Sequence, residues 1–300
     1  MPYTETQLVN WLQHVTKPSQ GSTISIGDDA ALLATNPRGI LVATDLLLAG
    51  VHFDMATTPA HLIGRKAVAV NFSDIAAMGG TPQSVFVSLG IPKDRDRDFI
   101  EALMLGISAI CGEFACGIDG GDTNSWDGGL VINVAVTGSP HVRGVTTRGG
   151  ALSGDVVMVS GQSLGGSYHS GKHLTFTPRV KEAQWLLDHF RIHSMMDLSD
   201  GLATDAPRLA EASRKQIIFA TEAIAPDDDS LRHAFCDGED FELLFTCDPK
   251  TAQAINSSSR WPCGFRQIGR VTEGQGVKLK DRYGKLIEMP SGWAGWLHTV

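Results

Sequence analysis

The stretch Ala69-Val70-Asn71-Phe72-Ser73-Asp74-Ile75-Ala76-Ala77-Met78-Gly79-Gly80 decides how the chain is read. From Pro59 onward, Leu62, Ala69, Phe72, Ile75 and Ala76 keep near-helical spacing, and Gly79-Gly80 with Pro82 stop the helix near Met78. Asn71 and Asp74 are three residues apart and so share a face. An acid there, on the C-terminal part of an apolar helix, stands where a scaffold can aim a carboxylate at a shared point.

Working outward, acids sit at four more breaks in apolar runs: Gly27-Asp28-Asp29, Thr44-Asp45, Gly120-Gly121-Asp122 and Asp197-Leu198-Ser199-Asp200. One such cluster is ordinary turn and cap chemistry. The whole set, with glycines beside several, points to an oxygen-ligand site for hard cations. Mg²⁺ keeps several waters and is held by a few carboxylates together with substrate phosphates. A Mg-nucleotide enzyme is therefore the first expectation. Asp45 is its sharpest candidate, because an acid inside the apolar run from Ile40 to Leu48 is costly to bury unless paired or bound to metal.

At 300 residues and 42% hydrophobic content, the chain can build a large core or two domains. A formal charge of −8 argues against a nucleic-acid binder, since phosphate backbones recruit Lys/Arg surface. It leaves room for a nucleotide site, where a cation supplies positive charge locally. Five cysteines without Cys-x₂-Cys pairs predict reduced thiols, not a disulfide framework. The opening Met-Pro-Tyr-Thr-Glu-Thr lacks a leader pattern, and no apolar run reaches about 18 residues. Those features predict a cytoplasmic protein without a membrane span.

The apolar rhythm predicts an opening helix carrying Leu8, Trp11, Leu12 and Val15. Strands over 24–33 and 40–48, the helix over 59–78, a strand over 84–89, a helix over 97–114 and a strand over 130–137 follow. Residues 138–154, rich in Gly, Ser, Thr and Arg, read as a connector. A second unit holds strands over 156–160, 195–198, 241–246, 266–271 and 277–279, with helices over 181–190 and 201–213. The expected fold class is α/β (α+β) in two domains, residues 1–138 and 139–300.

Around the turn at 197–202, Asp197 and Asp200 can both reach one ion cluster, while Ser199 and the free N–H groups of the coming helix can receive phosphate oxygens. A plain N-cap by Ser199 or Asp200 explains the same residues. Gly120-Gly121-Asp122-Thr123 lets backbone approach a phosphate, because glycine lacks a Cβ; alternatively it is a tight turn before the strand at Leu130. Arg148 offers forked donors that suit phosphate, or is a solvated connector arginine. His52 ends a strand beside the acids, where it can orient a phosphorylated substrate. Glu239-Asp240 precede an apolar strand much as Asp28-Asp29 do. Trp293 can stack on a flat heterocycle or simply pack. Residues 166–173 carry the glycine and lysine spacing of a Walker A loop, but His173 stands where the Mg²⁺-binding hydroxyl belongs and Leu-Thr-Phe-Thr-Pro is a poor helix opening, so a P-loop is rejected.

Taken in order, these stretches resemble one family. They are Ile26-Gly27-Asp28-Asp29-Ala30-Ala31, Ala43-Thr44-Asp45, Gly50-Val51-His52-Phe53, residues 69–80, Gly120-Gly121-Asp122-Thr123, Arg148-Gly149-Gly150-Ala151, residues 196–202 and Gly238-Glu239-Asp240-Phe241-Glu242-Leu243-Leu244-Phe245-Thr246. The likeness is to the thiamine-monophosphate kinase branch of the superfamily that also holds aminoimidazole ribonucleotide synthetase. It implies an aminoimidazole ribonucleotide synthetase-like fold whose N-terminal domain pairs with its copy in a homodimer, with ATP in the cleft at that interface. By matching positions it implies that Asp29, Thr44, Asp45, Asp74, Asp122, Asp197 and Asp200 hold Mg²⁺, with Asp74, Asp122 and Asp200 central to catalysis. Gly121, Asp122, Arg148 and Ser199 would contact ATP, with Phe114 nearby, and His52, Glu239 and Trp293 would face thiamine monophosphate. The implied reaction passes the γ-phosphoryl of ATP directly to the phosphate of that acceptor.

Three places depart from the family pattern. Ala43 stands where relatives often have serine. The stretch from Gly165 to Arg179 is short, with Tyr168-His169-Ser170-Gly171-Lys172-His173 in place of a whole helix. The region between Ala225 and Cys236 looks trimmed. Two other readings stay open: a superfamily ATP-dependent enzyme with a different small acceptor, and a nucleotide-binding protein without turnover. The retained acids weigh against the second, because unneeded buried carboxylates destabilise a fold.

Overall fold

The computed structural model describes residues 22–24, 31–33, 39–225, 227–258 and 261–296. The expected opening helix and the Gly27-Asp28-Asp29 motif, Asp29 included, lie outside the described residues.

Among the described residues the first half forms a six-stranded sheet covered by two helices. Its elements are β1 (Ser22–Ile24), β2 (Ala31–Leu33), β3 (Ile40–Leu48), α1 (Ala60–Ala77), β4 (Thr81–Pro92), α2 (Arg97–Glu113), β5 (Gly117–Trp126) and β6 (Val131–Ser139), in spatial order β1-β2-β3-β6-β4-β5. Among the described residues only β4 and β5 pair in parallel within this sheet, and α2 supplies the crossover that such a pair needs. Along β6, Ile132, Val134 and Val136 are buried while their neighbours are half-exposed, the period of two expected when one sheet face is packed. That face is covered by α1, which is buried over most of its length. Its partner α2 is capped by Asp96, whose side chain accepts from Phe99 N at 2.9 Å. The two helices touch so closely that a Cβ on Gly106 would stand 1.9 Å from His61 O.

Residues 140–155 then run without helix or strand. Beyond them come β7 (Val156–Ser160), α3 (Ser167–Ser170), α4 (Lys172–Thr175), α5 (Val180–His189), β8 (Ser194–Asp197), α6 (Leu202–Ser213), β9 (Gln216–Ala220) and α7 (Thr221–Ile224). The chain finishes with α8 (Asp228–Cys236), β10 (Leu243–Cys247), α9 (Pro249–Ser257), β11 (Phe265–Thr272), β12 (Gly276–Lys280) and β13 (Leu286–Glu288). These strands make a seven-stranded sheet in the order β13-β12-β9-β11-β7-β10-β8.

The larger hydrophobic core crosses both halves. It joins Phe72 and Ile75 of α1 to Met158 of β7, Trp185 of α5 and Phe245 of β10. Gln184 adds a polar tie, donating to Gly79 O at 2.6 Å. The two halves are therefore locked along α1, and the space beside that helix is walled by fixed elements. All five cysteines are free thiols. Among the described residues no helix is long and apolar enough to cross a membrane.

One expectation changes. Residues 117–126 are strand β5 at the sheet edge, not a turn leading to Leu130. The stretch from Ala225 to Cys236 holds helix α8, started by Asp227, which accepts from Ser230 N at 2.8 Å.

Candidate active site

A cleft of about 680 Å³ opens between the two halves. On one side stand Thr44 and Asp45 of β3, His52, and three residues of α1: Lys66, Val70 and Asp74. Those three fall at i, i+4 and i+8, which is one helical face. Asn71, expected to share the face of Asp74, is instead buried and donates to Ala67 O at 3.0 Å. Opposite stand Arg148 of the connector, Tyr168 and His169 of α3, the β8–α6 turn, Arg208 of α6 and Trp296.

Charge defines what this cleft can bind. Six acids line it (Asp45, Asp74, Asp197, Asp200, Asp237 and Glu239) against three cations (Lys66, Arg148 and Arg208). Such a surplus repels phosphates unless divalent cations enter with them. Asp197 ends β8 and is 4% exposed; its Oδ2 accepts from Ser73 Oγ of α1 at 2.6 Å. The two walls thus meet at a carboxylate. Asp200 accepts from Arg208 Nη1 at 2.6 Å, and its own backbone N–H donates to Asp205 Oδ2 at 2.9 Å. Asp205 is fully buried. Burial holds its carboxyl well above the usual carboxylate range, and the charges of Asp200 and Asp197 add to that, against Arg208. One field therefore embraces all three acids.

Among the described residues no three His, Cys, Asp or Glu side chains cluster tightly enough to cage a metal ion by themselves. Mg²⁺ does not require such a cage, since one or two carboxylates, waters and substrate phosphates suffice. Asp45, Asp74, Asp197 and Asp200, spread along one cleft, fit ions that arrive with a nucleotide.

The other end of the cleft is organised by Lys66, which is 1% exposed. Its Nζ donates to Glu239 Oε1 at 2.6 Å and to His52 O at 2.7 Å. Burial lowers the Lys66 pKa, with the Glu239 charge pulling the other way. Glu239 has a φ of 56°, a left-handed conformation that costs a non-glycine residue energy, and its Oε2 is buried without a hydrogen-bond partner. Leu48 N donates to His52 Nδ1 at 3.0 Å, which leaves the proton of a neutral ring on Nε2. His52 and Glu239, read separately from the sequence, are thus joined by a lysine that reading missed.

Thr44, Asp45, His52, Asp74, Arg148, Asp197, Ser199, Asp200 and Glu239 all line the cleft. Gly121, Asp122, Phe114 and Trp293 do not line it. Gly121 lies in β5 against β4, where a Cβ would stand 1.8 Å from Val87 O. Asp122 is exposed on that edge strand and accepts from Thr123 N at 2.8 Å and Asn124 Nδ2 at 3.0 Å. The Phe114 ring meets Phe72 edge-on at 5.4 Å. Trp293 packs on Phe235 at 5.3 Å, whereas Trp296 lines the cleft, its backbone N–H donating to Asp200 O at 3.0 Å. The tail is pressed close there, since a Cβ on Gly295 would stand 2.0 Å from the same oxygen. Gly161-Gln162-Ser163-Leu164-Gly165 has the spelling of a nucleophile elbow, but Ser163 is exposed and lies outside the cleft lining.

Asp240, beside Glu239, anchors the loop that enters α3. It is 1% exposed and accepts from Ser167 Oγ at 2.6 Å and from Gly165 N at 2.9 Å. Burial pushes its pKa up to about 6 despite those hydrogen bonds. With the folded value raised, the folded state favours the protonated acid. Stability is then fully present below the unfolded value of 3.8 and is lost as pH rises through about 6. Relative to Asp240→Asn, the native chain should lose up to about 3 kcal/mol across that window. Urea unfolding of both proteins at each pH measures this, and a constant difference would refute it.

The comparisons with known proteins agree with this geometry. Residues 27–139 match the AIR synthase related protein N-terminal domain, and residues 134–282 match the AIR synthase related protein C-terminal domain. A thiamine-monophosphate kinase of Rhodopirellula baltica is 34% identical, covering 91% of each chain. Another, of Aquifex aeolicus, is 31% identical over 89% of this chain and 92% of its own. The solved structure of AaThiL complexed with AMPPCP and TMP superposes with a TM-score of 0.82 at 27% identity, over 98% of this chain and 97% of that one. With both domains matched and relatives of this identity aligned over nine-tenths of its length, the chain belongs to the thiamine-monophosphate kinase family.

Proposed function

We propose that this protein converts thiamine monophosphate to thiamine diphosphate, using ATP and Mg²⁺, by direct transfer of the γ-phosphoryl group. The observation that carries the reading is the division of one cleft into two ends. Asp45, Asp74, Asp197 and Asp200 gather the negative charge, while His52, Lys66 and Glu239 form a separate hydrogen-bonded group. The names of the relatives, and the AMPPCP and TMP of the AaThiL complex, support the same pair of substrates.

In the transfer, an oxygen of the acceptor phosphate forms a bond to the γ-phosphorus of ATP. The bond from that phosphorus to the bridging oxygen breaks, and ADP leaves with the electron pair. The attacking oxygen is already anionic, so the site needs no strong general base. Its tasks are to hold two anions in line and to neutralise developing charge. Asp45, Asp74, Asp197 and Asp200, with Thr44 beside them, would hold Mg²⁺, which would supply charge neutralisation when bound. Ser73 holds the Asp197 carboxylate in orientation, and Arg208 does the same for Asp200. Ser199 and the N-terminus of α6 receive phosphate oxygens, and Arg148 offers its fork to the triphosphate. At the acceptor end, Lys66 fixes the Glu239 carboxylate beside His52.

A homodimer belongs to this reading. The outward face of the first sheet leaves Leu46 51% and Phe86 40% exposed, and Asp122 lies on the same sheet at its open edge. A second copy seated on that face brings Gly121 and Asp122 to a nucleotide held by its neighbour.

Purified protein given ATP, Mg²⁺ and thiamine monophosphate should form thiamine diphosphate and ADP in equal amounts, and neither product when Mg²⁺ or the acceptor is omitted. Mg-ATP binding without thiamine diphosphate would reject the acceptor. Absence of Mg-ATP binding would reject the whole reading.

A further inference from the structure

We infer that Tyr168 is the aromatic wall on which the acceptor's heterocycle stacks, so that this chain's shortened segment sets its acceptor affinity. The inference deepens the kinase reading and rests on it. Helix α3 has only four residues and lies between Gly166 and Gly171, both left-handed at φ of 72° and 75°. This short turn puts a large ring into the cleft. Tyr168 lines the cleft and is 45% exposed.

A half-exposed surface tyrosine is ordinarily mobile, but this one is held. Its ring stacks on His173 with centroids 4.7 Å apart and planes 20° from parallel. His173 is buried and is itself hydrogen-bonded through Nδ1 to Ser167 O at 3.1 Å. In the same segment, Ser167 Oγ and Gly165 N donate to Asp240, and Gly166 N donates to Asp237 Oδ2 at 2.9 Å. The segment that carries Glu239 therefore also anchors Tyr168. Rigid placement of a recognition group before binding lowers the ordering cost of the complex.

The wall stands at the acceptor end. His173 feels the charges of both Lys66 and Glu239; burial, then Lys66, lowers its pKa. In the same cleft the buried, unpartnered Glu239 Oε2 is an acceptor that a ligand N–H would satisfy. A flat aminopyrimidine joined to a cationic thiazolium suits this pairing. Either ring can stack on tyrosine, and the cation gains from the face of its π-system.

Calorimetric titration of thiamine monophosphate into the protein, with Mg²⁺ and AMPPCP present, tests the inference. Tyr168→Ala should weaken acceptor binding about tenfold and raise the acceptor KM to match, with the KM for ATP within about twofold of the native value. Tyr168→Phe, which keeps the ring and loses the hydroxyl, should restore the affinity. Equal acceptor affinity in Tyr168→Ala and the native protein would overturn the wall while leaving the kinase reading intact. No binding and no turnover of thiamine monophosphate by the native protein would overturn both.

Discussion

Asp74→Asn is expected to lower kcat for thiamine diphosphate formation by about a thousandfold, roughly 4 kcal/mol of transition-state stabilisation, with the unfolding free energy changed by less than about 1 kcal/mol. The two halves of that expectation come from where the residue sits. Asp74 is half-exposed on the cleft face of α1, next to the serine that holds Asp197. Asparagine has nearly the same shape and Asp74 is half-exposed, so α1 keeps its packing. What disappears is one unit of negative charge at the place where divalent cations must be held against a triphosphate. A neutral amide oxygen is a poorer ligand for a hard cation, and the phosphoryl oxygens then carry developing charge with less compensation. The variant should also need a higher Mg²⁺ concentration for half-maximal rate, which a purely structural role would not produce. Thermal melts and a Mg²⁺ titration of the rate separate the two. An Asp74→Asn protein with native kcat would remove this residue from the site.

The helix that carries Asp74 is legible in the sequence because everything that makes it is local. Its apolar spacing, its glycine stop and the proline beyond lie within about two dozen residues, and the expected 59–78 matches Ala60–Ala77 closely. Strand β5 is illegible for the opposite reason. Gly117-Ile118-Asp119-Gly120-Gly121-Asp122-Thr123-Asn124 is poor strand material, and it becomes a strand because β4 offers it an edge in register, Val87 facing Gly121. That partner is more than thirty residues away in sequence. Short helices α8 and α9 also carry local signals, since Asp227 and Asp248 each accept from first-turn N–H groups. The start of the expected strand 241–246 also moves. Glu239 and Phe241 both adopt positive φ, so the chain turns there and β10 begins only at Leu243.

The candidate site divides in the same way. Acids at breaks between elements were visible, because an acid there has few structural excuses. Lys66 and Arg208 were missed, although helical phase would have found them: Lys66 lies eight residues before Asp74, and Arg208 lies three after Asp205 on α6. Tyr168 and Trp296 had no such signal. Which of two tail tryptophans reaches the cleft depends on how Gly295 crosses Asp200, a contact within the second half between segments far apart in sequence.

Arg179→Ala should lower the unfolding free energy by about 3–5 kcal/mol at neutral pH, more than its half-buried position suggests. The cost falls on Glu242, whose side chain is 2% exposed. Arg179 donates through Nε to Oε2 and through Nη2 to Oε1, both at 2.7 Å, Ser160 Oγ donates to Oε2 at 2.6 Å, and Lys172 Nζ reaches Oε1 at 3.2 Å. Burial by itself would push the Glu242 pKa up, but the Arg179 hydrogen bonds and charge, helped by Lys172 and Ser160, outweigh it and hold the carboxyl below its usual range. With the folded value depressed, the stabilisation is present above the unfolded value of 4.5 and is lost as pH falls through the folded one. The gap between native and variant proteins should therefore shrink in acid, where the stranded carboxyl takes up a proton. Urea unfolding at neutral pH and at about pH 4 reads this directly. Arg179→Met combined with Glu242→Leu should recover most of the loss, since replacing a buried pair with apolar residues is often neutral. The same carboxylate also receives Lys172 of α4, so the single variant, by unsettling Glu242, should also lose acceptor affinity. A gap of the same size at both pH values would assign the cost to lost packing of the arginine stem, and would remove the unpaired carboxylate as its cause.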